Sequence, residues 1–89
     1  MHLKLISDDT AAELTDSILV SVGAEDPNDI TAGVIWMAAG NVVSDEGPLS
    51  VPDALVLAQT LADEQHKETV YITLQPDTFE WLPEWGKLD

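Results

Sequence analysis

Polar and apolar positions alternate from the start of the chain. In His2 to Ile6, Leu3 and Leu5 fall on one side and His2, Lys4 and Ile6 on the other, the period of a short strand. Ser7, Asp8 or Asp9 follows with side chains suited to accept from the unpaired amides of a helix start. The spacing predicts a helix from about Asp9 to Val20. On a wheel of 3.6 residues per turn, Ala11, Leu14, Ile18 and Val22 line one side, and Asp9, Glu13 and Asp16 fall almost opposite. Gly23 then reads as a helix stop, and the run AEDPND over 24–29 as a polar connection.

The next stretch, from Ile30 to Pro48, supports two readings. As strands, Gly33 to Ala38 and Asn41 to Ser44 make a hairpin around Ala39-Gly40, favoured by β-branched and aromatic residues and by a glycine where the turn needs positive φ. As a helix, Asp26 or Asn28 caps it, and Ile30, Val34, Met37 and Ala38 form the inner stripe. The hairpin is preferred. Ser50 followed by Val51-Pro52-Asp53 has the composition of a helix start, and a helix from Val51 to about His66 follows. Its inner face is Val51, Ala54, Leu55, Ala58, Leu61 and Ala62. Asp53, Thr60, Asp63, Glu64 and Lys67 face water, with Asp63 and Glu64 spaced to pair with Lys67. TVYITL, from Thr69 to Leu74, alternates as a strand and ends at Gln75-Pro76-Asp77, leaving an aromatic, acidic tail at 76–89.

These elements predict a single α+β domain over 1–89, with a small antiparallel or mixed sheet of three to four strands and two helices on one face. If the middle is helical, three helices pack on a two-stranded sheet of the terminal strands. Neither an internal repeat nor a low-complexity segment divides the chain. At 89 residues and 45% apolar composition, one modest core is the expectation. The N-terminal MHLKLISDD lacks the long apolar run of a secretory signal, and no run is long enough to span a bilayer, so a cytoplasmic protein is expected. With no cysteine, packing has to hold the fold without disulfides or thiolate metal sites.

Charge changes the picture most. Seventeen Asp and Glu stand against Lys4, Lys67 and Lys87, with no arginine, for a formal charge of −14. Phosphate backbones and anionic lipid surfaces are attracted by Lys and Arg, so neither nucleic acid nor membrane is an expected partner. A basic protein surface is the complementary expectation.

Signs of catalysis are sparse. The glycines at 23, 33, 40, 47 and 86 are too scattered for a phosphate-cradling loop, no serine sits in a Gly-x-Ser-x-Gly elbow, and the only histidines are His2 and His66. No acidic loop has the ligand order of a calcium site. The expectation is therefore a protein that is not an enzyme, with no catalytic residues, metal or cofactor.

Two features suit binding. The stripe Asp9, Glu13 and Asp16 would lay charge along roughly 10 Å of helix at about 1.5 Å per residue, a spacing akin to that of DNA phosphates. The tail residues Phe79, Glu80, Trp81, Glu84 and Trp85 have the mixture of large aromatics and acids found at interface anchors. The same tail also suits folding back to complete a small core. The leading expectation is a small acidic binding module that inhibits a basic, nucleic-acid-handling partner by DNA-like charge mimicry, the kind of task performed by anti-CRISPR, anti-restriction and nuclease-immunity proteins. The alternative is a self-associating structural or accessory subunit, a homodimer for example, whose acidity serves solubility or salt adaptation.

Overall fold

A computed structural model describes residues 2–26, 29–75, 81, 85, 86 and 88 of the chain. In chain order the elements are β1 (His2–Leu5), α1 (Asp8–Ala11), β2 (Ser17–Asp26), β3 (Asp29–Ala38), β4 (Asn41–Leu49), α2 (Val51–Glu64) and β5 (Thr69–Gln75). The strands form one mixed sheet in the order β1-β5-β2-β3-β4. β5 runs parallel to β1 on one side and to β2 on the other, while β2, β3 and β4 form an antiparallel meander. This corrects the expected three- to four-stranded sheet with two helices on one face, and equally the alternative of three helices on a two-stranded sheet. Among the described residues the sheet has five strands, and α2 is the one helix longer than a single turn.

The difference arises between residues 9 and 26. The helix expected from Asp9 to Val20 ends at Ala11, and its second half is the start of a ten-residue strand. Ile18 and Val22 are four apart, a spacing that suits one helix face and one strand face equally. Val20 decides the matter. It is fully buried together with Ile18 and Val22, which gives a period of two. All three side chains are β-branched, restricted at χ1, and fit a pleated surface better than a helix. The short α1 keeps the expected cap, with Ser7 Oγ accepting from the Thr10 amide at 3.3 Å. Gly23, read as a helix stop, lies within β2 opposite Thr31.

The hairpin around Ala39-Gly40 is present and longer than expected. Ala39 has φ of 54° and Gly40 has φ of 80°, the two positive values of the tight turn whose twist matches paired strands. Ala38 pairs with Asn41 across it, and the Gly40 amide donates to the Thr15 carbonyl at 2.9 Å, tying the turn to the loop before β2. β4 continues through Gly47 and Pro48 to Leu49. Proline is tolerated there because β4 is an edge strand, whose outward amides have no ladder partner to lose.

The helix from Val51 begins as expected, with Ser50 Oγ accepting from the Asp53 amide at 3.3 Å and Pro52 in the first turn. Val51, Ala54, Ala58 and Ala62 are buried, and the alanines bring α2 close to the sheet over β2, β3 and β5. Ile18, Val20, Val22, Val34, Val70 and Ile72 form the fully buried heart of that interface. The helix closes with the Lys67 amide bonded to the Ala62 carbonyl at 2.8 Å and His66 at φ of 56°, a C-terminal cap in which the left-handed residue is histidine rather than the usual glycine.

β1 and β2 flank β5 and run parallel to it, so the chain between them crosses β5 by way of α1. Leu19 and Thr73 face away from α2 yet are buried. α1, in the crossover, lies against β5 on the sheet. Among the described residues no helix packs on this second face over β3 and β4.

Candidate functional site

The acidic residues expected to form a helical stripe are all exposed but do not share a helix. Asp9 lies in α1, Glu13 in the turn after it and Asp16 in the bend before β2. The Glu13 amide donates to the Thr10 carbonyl at 3.0 Å, and the Leu14 amide to the Ala11 carbonyl at 3.2 Å, so the chain turns away from a helical path immediately after α1. Asp16 accepts an ion pair from Lys67 Nζ at 3.2 Å, and that carboxylate is therefore partly neutralised by the chain itself. The regular spacing on which an imitation of a phosphate backbone depended is thus missing from this segment, although its charges are on the surface.

Of the tail residues, Phe79, Glu80 and Glu84 lie outside the described residues. Trp81 and Trp85 are half-buried, meet edge to face with ring centroids 5.1 Å apart, and pack with Leu88 against the core. Trp81 Nε1 donates to the Gly86 carbonyl at 2.8 Å. Leu88 bridges Leu3 on the outer side of β1, and a Cβ on Gly86 would stand 3.3 Å from Leu3 Cδ1. The described part of the tail thus covers the β1 edge of the sheet.

Among the described residues no three His, Cys, Asp or Glu side chains gather as a metal cage. His66 caps α2, and His2 is exposed on β1. No helix among the described residues is long and apolar enough to cross a membrane.

The second sheet face carries a feature that the helical reading of residues 9–20 concealed. Register places Ser17 beside Met37, Leu19 beside Ile35, Ser21 beside Gly33 and Gly23 beside Thr31, all facing away from α2. The first row joins a serine to a methionine, the second is apolar, and the last two are small or hydroxylated. Over the small rows lies a shallow groove of about 320 Å³, bounded on the far side by Asp45, Glu46 and Pro48 of β4. Two irregularities in the β3–β4 register shape that boundary. One lies between Ala32 and Val34, the other between Trp36 and Met37. Each inserts one extra residue into β4, so the strand bends there. The first depends on glycine: a Cβ on Gly47 would stand 3.1 Å from Gly33 Cα and 3.2 Å from the Ala32 carbonyl oxygen, at a φ of 154°. Asp45 and Glu46 are exposed beside it. The signal for this surface was present in the sequence as the alternation of Ser17, Ser21 and Gly23 with the buried Ile18, Val20 and Val22.

A scan against protein-family models, a search of characterised proteins and a search of solved structures each returned no match.

Proposed function

We propose that this protein is a small acidic binding module that docks on a basic protein surface in the cytoplasm, and that its target is a protein that handles nucleic acid. The observation that carries the reading is the disposition of charge. Asp9, Glu13, Asp16, Asp45, Glu46, Asp53, Asp63, Glu64 and Glu68 are all exposed, and the whole chain has a formal charge of −14. Lys67, one of three lysines, is engaged with Asp16. A field of that sign accelerates encounter with a cationic surface and repels competing polyanions, so a bound module would exclude nucleic acid from the surface it covers. Charge on several elements, rather than one helical stripe, is what supports the reading.

The test is affinity capture on the immobilised full chain at low and moderate salt, followed by kinetic measurement with the captured protein. The expected outcome is a basic nucleic-acid-binding protein whose association slows steeply as salt rises and which loses its nucleic acid on binding. A complex indifferent to salt, or one in which nucleic acid stays bound, overturns the proposal.

A further inference from the structure

We infer that the groove between β2, β3 and the bulged β4 is the seat of an arginine side chain presented by a basic protein partner. The inference rests on the reading of the chain as an acidic binding module and deepens it by naming a place and a chemical group.

Shape is the first ground. Gly23 and Gly33 leave the floor without side chains, and a Cβ at Gly23 would meet no atom within 4 Å. At about 320 Å³ the groove lies at the small end of ligand clefts, which run from about 300 to 1,000 Å³. It therefore suits one long side chain better than a nucleotide or a cofactor.

Chemistry is the second. Ser21 and Thr31 bring hydroxyl oxygens to the floor, and Asp45, register partner of the outward Ile35, brings a carboxylate to the rim. A guanidinium donates in several directions within one plane and keeps its charge at any physiological pH, so it can meet a carboxylate and neighbouring hydroxyls together. An ammonium offers a single point. The aliphatic stem of arginine would lie along the glycine backbone.

Charge is the third. Lys4 lies on β1 in register with Leu19, two strand spacings or roughly 10 Å from β2 at about 4.8 Å per spacing, with Gly23 roughly 13 Å further along at about 3.3 Å per residue, and it is four spacings or roughly 19 Å from β4. Lys67 reaches Asp16 before the start of β2, and Gly23 is roughly 20 Å further along that strand at about 3.3 Å per residue. Neither of these two lysines, the ones among the described residues, is placed to neutralise the groove. The bulges of β4 also break the regular edge that an added strand would need, so a partner gains more here by inserting a side chain than by pairing its backbone.

The experiment titrates the isotope-labelled full chain with N-acetyl-arginine amide, the lysine counterpart and the uncharged citrulline counterpart, following backbone amides by NMR. A parallel titration uses an oligoarginine peptide. Arginine amide should shift residues 21–23, 31–33 and 45–47 first, the lysine analogue should bind more weakly, and citrulline should have little effect. Asp45→Asn with Glu46→Gln should weaken arginine binding by about tenfold or more. Gly23→Tyr, which fills the groove from a position with open space above it, should abolish binding while thermal stability is retained. Shifts spread evenly over all acidic residues, lysine binding as tightly as arginine, or an unaltered titration in either variant would overturn the inference. If the oligoarginine peptide binds in a salt-sensitive way but ignores these variants, the groove assignment fails and the acidic-module reading stands. If the peptide does not bind at all, the acidic-module reading fails as well.

Discussion

Replacing Ala39 tests the geometry that joins β3 to β4. Its φ of 54° puts a residue bearing a Cβ into the left-handed region, and the side chain is exposed, so no packing is lost on substitution. The left-handed conformation costs such a residue about 1–2 kcal/mol. Glycine removes that strain but adds about 0.4–1 kcal/mol of chain entropy to the unfolded state. The balance for Ala39→Gly is a gain of about 0.5–1 kcal/mol, with Ala39→Asn near the upper end because asparagine tolerates this region and is preferred before glycine in such turns. In a domain of this size about 1 kcal/mol raises Tm by roughly 4–8 °C. Ala39→Val should lower stability, since a β-branched side chain is worse than alanine at positive φ. Urea unfolding followed by tryptophan fluorescence, with calorimetric Tm values, should rank the variants Asn, Gly, Ala, Val. A glycine variant less stable than the parent, or a valine variant equal to it, would refute the assignment of strain to this turn.

The same physics predicts that His66→Gly gains about 1 kcal/mol, because the left-handed cap of α2 currently carries a side chain; chemical denaturation should show a higher midpoint at unchanged slope. Gly47→Ala should cost about 1–3 kcal/mol through strain at φ of 154° and crowding against Gly33 and Ala32, and NMR should place the largest shift changes across the β3–β4 bulge. Ile72→Ala should destabilise by about 2–5 kcal/mol, whereas Val56→Ala, at a position 65% exposed on α2, should stay within about 0.5 kcal/mol. Equal losses in those two variants would mean that α2 packs through a different face.

Individual elements, though not the architecture, could be read from the chain where several local signals agreed with one another. Ser50, Pro52 and the buried positions of α2 all pointed to the same helix, and TVYITL alternated cleanly over β5. The turn at Ala39-Gly40 was legible from its glycine. Residues 9–20 misled because their acids and aliphatics satisfy helical spacing up to Val22, while the preference that decided the outcome lies in the β-branched Ile18, Val20 and Val22, which gain more by pairing on both sides in a sheet. Losing that helix also removed the geometric basis of the acidic stripe. The alternation of Ser17, Ser21 and Gly23 marked the small-residue face of β2 but not the groove upon it, whose far wall comes from the bulged β4, because register is a property of paired strands rather than of either one.

The position of β5 has a consequence for how the chain acquires its fold. It is the last strand to be made, yet it lies between the first two, and the parallel pairs His2↔Thr69 and Leu19↔Tyr71 both depend on it. During synthesis the β2–β3–β4 meander can pair as it emerges, but β1 has no neighbour until residues 69–75 leave the ribosome. Assembly is therefore gated by residues 69–75, and premature termination before Thr69 would leave an acidic meander with its central edge unsealed rather than a smaller version of the same domain.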